Sequence, residues 1–143
     1  MIGVRIQRED FDVNAEIAAL RSDGAGAVVT FSGIVRSEAD ALTLEHYPGM
    51  TEREIARYVA EARSRWPLLG VTIVHRIGRL LPGENIVLVA AASAHRKAAF
   101  EACSFLMDYL KTHAPFWKQE ERNGHAEWVD ARASDDAALK KWL

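Results

Sequence analysis

Apolar residues along this chain switch between a two-residue and a 3.6-residue period, and the switches mark out its elements. Val4 to Gln7 alternates briefly and predicts a short edge strand, after which Asp12 caps a helix from Val13 to about Arg21, stopped at Gly24-Ala25-Gly26. Ala27 to Val35, AVVTFSGIV, is β-branched and aromatic and predicts a buried strand, with Gly33 marking a bulge or a close backbone approach. Ala41 to His46 alternates and predicts a strand partnered with the preceding one, ended by the Tyr47-Pro48-Gly49 turn. The period then lengthens. Ile55, Tyr58, Val59 and Ala62 form one stripe of a helix that opens with a Thr51–Glu54 capping box and ends near Trp66-Pro67.

Val71 to Ile77 and Asn85 to Ser93 read as two further strands, antiparallel because only a short loop with the Pro82-Gly83-Glu84 turn separates them. The longest helix runs from Arg96 to about His113, gathers Ala99, Cys103, Leu106, Met107 and Leu110 on one face, and stops at Pro115. Phe116 to Glu121 and Glu127 to Val129 predict a closing hairpin across Asn123-Gly124, and Ser134 to Trp142 a last helical turn or two. Hairpin-like strand pairs between separate helices argue for an α+β sandwich over a doubly wound parallel sheet, and no GxGxxG or Walker loop opposes that reading. No repeat or linker interrupts the pattern, so the 143 residues form one domain.

Composition narrows the function classes. A formal net charge of −2 with mixed signs lacks the basic stripe of a nucleic-acid binder. The single cysteine, Cys103, excludes an internal disulfide framework and a cysteine-rich metal site, and its place on the apolar helix face predicts a buried, inert thiol. The start, MIGVRIQREDFDV, lacks the basic and apolar regions of a signal peptide, and no apolar run approaches membrane-spanning length. A soluble cytoplasmic protein is expected.

The chemistry concentrates between Ser93 and Lys118. His95 and Arg96 stand where a strand hands over to a helix, and unpaired N–H groups of a first helical turn favour anions, which a guanidinium fork also grips. A plain alternative stays open for this pair: a helix cap and a surface ion pair. Lys111 flanks the apolar stripe near the helix end, suited either to a site or to complementing the helix dipole. Lys118 follows Phe116-Trp117, whose bulk can desolvate an amine, and equally fits a solvated strand position. Arg36 ends the GIVR strand and Arg132 sits in the tail, both ambiguous by position. His46, His75, His113 and His125 show no metal-ligand spacing.

Taken together, FSGIVR, ALTLEHYPGMTE, RWPLLGVTIVHRIG, SAHR, FLMDYLKTHAPFWK and WVDAR resemble, in order and over roughly residues 25 to 135, the large, catalytic subunits of molybdopterin synthases. The resemblance implies an α/β hammerhead fold with an additional antiparallel β subdomain. It implies sulfur transfer in molybdenum cofactor biosynthesis: cyclic pyranopterin monophosphate gains two sulfurs as a dithiolene. The sulfur comes from the C-terminal Gly-Gly thiocarboxylate of a small ubiquitin-like subunit, within a heterotetramer built on a homodimer of large subunits, and no cofactor or metal is called for. By matching position, Lys111 is implied as the principal acid/base or carbonyl-activating group and Lys118 as its helper. Arg36, His95 and Arg96, with Arg132 lent across the dimer, are implied to hold phosphate and pterin, beside Ile34, Val35, Gln119 and Glu120. The chain departs from many relatives in a shorter loop after Arg36, SEAD, and in Ile34 and Gln119, which stand where basic residues are common. The alternative reading is a non-catalytic module that binds a phosphorylated small molecule or a carrier tail in the same pocket.

Overall fold

Two four-stranded sheets share the work of the fold in a computed structural model that describes residues 2–129 and 133–143. The first sheet contains β1 (Ile2–Gln7), β4 (Leu68–Arg76), β6 (Asn85–Ser93) and β2 (Ala27–Ile34), in that spatial order. Only β1 and β4 run parallel, with Ile2 opposite Val71; β6 is antiparallel to both neighbours. The second sheet is antiparallel throughout, in the order β5 (Gly78–Leu80), β3 (Ala41–His46), β7 (Phe116–Arg122) and β8 (His125–Trp128). It is the expected antiparallel subdomain, and the mixed α+β class follows.

Helices cover both faces of the first sheet, which is why β4 and β6 read as continuous apolar runs. On one face α2 (Met50–Arg65) and α3 (Arg96–Thr112) bring Ile55, Val59, Phe105 and Leu106 onto Val71, Ile73, Val89 and Ala91. On the other, α1 (Val13–Leu20) lays Leu20 on Ala90 and Ala92. Cys103 is buried in the first of these cores, where loss of solvent pushes its thiol up to about 11, so it stays protonated and inert. A smaller core of Val35, Leu42, Leu44 and Leu80 joins the end of β2 to the second sheet.

Two local expectations differ from the structure. The Ala41–His46 strand exists with those bounds but does not pair with β2; it crosses into the second sheet between β5 and β7. Alternation sets which residues share a face, and it says nothing about which strand lies alongside. The capping box of α2 is also shifted: Gly49 is the N-cap, and its N–H donates to Glu52 Oε1 at 3.0 Å. Thr51, fully buried, instead accepts from Tyr47 N–H and donates to the Pro115 carbonyl at 2.8 Å, tying α2 to the loop before β7. Asp12 caps α1 as expected, accepting from Ala15 N–H. The β7–β8 hairpin turns on Asn123 and Gly124, both at positive φ.

Near the start of α3, Gly26 N–H donates to the Ser93 carbonyl at 3.0 Å. A Cβ at Gly26 would lie 2.1 Å from the Ala94 carbonyl oxygen, and backbone cannot yield as a side chain does. Gly26→Ala is therefore expected to cost about 2 kcal/mol of stability, by the usual penalty of overpacking. Urea denaturation reads it, and an unchanged midpoint would contradict the close approach.

Beside Phe105, at the margin of the core between α2, α3 and the first sheet, an aromatic cluster gathers Trp66, Tyr109 and Trp142. Trp142 donates its indole N–H to Asp108 Oδ2 at 2.6 Å, so α4 (Ala133–Lys140) and the chain end are fastened to α3. No helix among the described residues is long and apolar enough to cross a membrane.

Candidate active site

The two sheets and the end of α3 enclose a cavity of about 560 Å³. The end of β2 supplies Ile34, with Val35 and Arg36 following it. The register of β2 against β6 shifts between Gly33 and Ile34, and a Cβ at Gly33 would lie 2.7 Å from Val87 Cγ1. Gly33 is thus both the bulge and the close approach that the sequence offered as alternatives, and the bend aims this segment at the cavity. The last turns of α3 contribute Met107, Leu110 and Lys111, and β7 contributes Phe116, Lys118 and Glu120.

Lys111 is exposed at the rim and Lys118 is half-buried, opposite Leu44 in the register of β3 with β7. Strand alternation decides which β7 residues enter the cavity: Lys118 and Glu120 do, and Gln119 between them does not. Arg36 lines the cavity while pairing with Glu38 at 3.4 Å; both side chains are largely exposed, so the pair is weak and an anionic ligand can displace it. Glu120 pairs with Arg122 at 3.0 Å. Three cations, from α3, β7 and the loop after β2, thus border one cavity, a setting for an anionic ligand and for proton transfer.

His75, on β4, is the residue that sequence reasoning passed over. It lines the same cavity, is 7% exposed, and stacks on Phe116 with ring centroids 3.9 Å apart. Its Nδ1 lies 2.8 Å from the Arg76 carbonyl. Burial above all, reinforced by the charge of Lys111 and with smaller effects from His46 and Lys118, brings its pKa down to about 4 despite that hydrogen bond. The imidazole is neutral at physiological pH.

His95 and Arg96 do not join this cavity within one chain. They border a separate, more open depression at the start of α3 with Lys97, Phe100 and Glu101. His95 is the N-cap of α3 but makes no side-chain capping hydrogen bond, so the cap alternative is not what forms. Fifteen helical steps separate Arg96 from Lys111, roughly 22 Å along the axis. Arg132 lies outside the described residues.

A two-sheet α+β fold with a cavity bordered by Lys111, Lys118 and Arg36 is the build of a small-molecule enzyme or binding subunit. The sequence profile of the family described as MoaE protein matches residues 6–113. The chain belongs to the MoaE family. It is 62% identical to a molybdopterin synthase catalytic subunit of Mesorhizobium japonicum, over 97% of this chain and 92% of that protein. Against the protein of the same name from Escherichia coli K12 the identity is 55%, over 94% and 93% of the two chains. Among solved structures, a molybdopterin biosynthesis MoaE protein from Burkholderia ambifaria superposes with a TM-score of 0.88 at 54% identity, covering 99% and 98% of the chains. A complex of subunits 1 and 2 of a molybdopterin-converting factor from Helicobacter pylori shares the fold, with a TM-score of 0.75 at 20% identity over 92% and 91%.

Proposed function

We propose that this chain catalyses the sulfur-insertion step of molybdenum cofactor biosynthesis, converting cyclic pyranopterin monophosphate to molybdopterin with sulfur from the thiocarboxylated C-terminus of a small ubiquitin-like subunit. The observation that carries this reading is the meeting of Lys111 and Lys118, one from a helix end and one from a strand, at a single cavity that Arg36 also borders. In it Lys111 serves as acid/base or carbonyl-activating group where the carrier tail meets the pterin, and Lys118 assists. Val35, Ile34 and Glu120 line the same space and contact the substrate, while Gln119 acts only indirectly, through the strand.

Two copies of the chain pair within a heterotetramer, and the pairing completes the site. One rigid helix holds Arg96 and Lys111 too far apart for a small substrate to touch both in one protomer. The reading therefore assigns His95, Arg96 and Arg132 to the cavity of the partner copy, where they bind phosphate. The supporting features are the exposed cations at the α3 start and the 61% exposed Phe100 beside them.

Purified chain mixed with thiocarboxylated small subunit and cyclic pyranopterin monophosphate is expected to yield the dithiolene product; no turnover would reject the reading. Complementation tests the pairing. Lys111→Ala and Arg96→Ala proteins, each inactive, are expected after subunit exchange to regain about a quarter of wild-type activity, since half the dimers are mixed and each holds one intact site. Absence of recovery would place both residues in the same protomer's site.

A further inference from the structure

Lys111 is the central amine of the cavity, yet it ends a flexible four-carbon chain at a helix terminus, and such a chain loses rotamer entropy whenever its amine is held in one place. Lys111 and His75 line the same cavity, and the lysine charge helps to lower the imidazole pKa. The His75 ring itself is fixed three ways: by its strand, by stacking on Phe116, and by the hydrogen bond of Nδ1 to the Arg76 carbonyl. A carbonyl only accepts, so Nδ1 carries the proton and Nε2 carries the lone pair. With Nδ1 engaged by the backbone, Nε2 is the ring nitrogen available to the cavity that His75 lines.

We propose that His75 is the positioning residue for Lys111: its Nε2 accepts a hydrogen bond from the lysine amine and aims it at the reacting centre. This rests on the sulfur-transfer reading and deepens it. The choice of residue has a physical logic. A carboxylate in that place would hold Lys111 as an ion pair and cancel the positive field that an anionic substrate needs. A neutral imidazole with one tautomer locked accepts a hydrogen bond and adds no charge. Its surroundings keep it so: burial first, and then Lys111 on α3, His46 on β3 and Lys118 on β7, each of which opposes a further positive charge.

The test separates the two ring nitrogens. His75→Asn places an amide near Nδ1, able to bond the Arg76 carbonyl, but leaves nothing at the Nε2 position. His75→Gln reaches the Nε2 position with an acceptor oxygen. In the thiocarboxylate assay the Asn variant is expected to lose ten- to a hundredfold in kcat with KM within about threefold, because only orientation in the chemical step is lost. The Gln variant is expected within about fivefold of wild type. Equal activity of wild type and Asn, or an equal fall in Asn and Gln, overturns the proposal. A wild-type protein without turnover fails the sulfur-transfer reading instead, and the proposal is then judged by a second measurement. Nitrogen-15 NMR of the unmodified protein is expected to show His75 as the Nδ1–H tautomer, with an Nε2 signal that moves in Lys111→Ala. An Nε2 signal indifferent to that substitution overturns it as well.

Discussion

Lys111→Ala is expected to lower turnover by at least about a thousandfold while leaving the protein folded, the range expected when one positioned group serves both proton transfer and charge stabilisation. The side chain is exposed at the cavity rim, where its loss leaves no buried gap, so the melting temperature should move little. Binding and chemistry separate here. If Lys111 acts in the chemical step, the affinity for cyclic pyranopterin monophosphate, measured by calorimetry, stays within a few fold of wild type. A variant with a full rate removes the assignment, and one that loses affinity and rate together returns the site to the binding-module reading.

Acid is expected to destabilise the native state through His75 by about 3 kcal/mol, the free-energy equivalent of moving a histidine from its ordinary value of 6.5 to about 4. The sign follows from where protons bind. Above pH 6.5 the ring is neutral in both states and its contribution is fully present; between pH 6.5 and 4 the unfolded chain takes up a proton that the native chain refuses, so stability falls as pH falls. Urea denaturation at pH 7, 5.5 and 4.5 on wild type and His75→Phe tests it. Phenylalanine preserves the stack on Phe116 and does not titrate, so its stability should fall less over that interval. Parallel curves for the two proteins would show that the proton goes elsewhere.

Much of the fold was legible because its signals are local. Asp12 through its side-chain cap, and Pro115 and the Asn123-Gly124 turn through their backbone, each act on their immediate neighbours, and the elements they bound lie close to where expected. Pairing across distance was not. Ala41–His46 has the same alternation whichever sheet it joins; what holds it in the second is distant in sequence, its pairing with β5 and β7 and the small core of Val35, Leu42, Leu44 and Leu80. Lys111, Lys118 and Arg36 were ambiguous by position and took their roles from family likeness; the structure brings them to one cavity. His75 escaped because β4 is buried on both faces, so periodicity cannot say which of its residues look into a cavity. The separation of His95 and Arg96 from Lys111 was, by contrast, readable in advance: counting residues along one uninterrupted helix gives it.

That helix works as a ruler. Each added or deleted residue between Arg96 and Lys111 would turn one end against the other by about 100° and slide it by about 1.5 Å. The lysine would swing off the cavity, or Phe105 and Leu106 off the sheet they fill. Substitutions on the helix's outer face leave that spacing alone, whereas any change in the number of residues between Arg96 and Lys111 alters it.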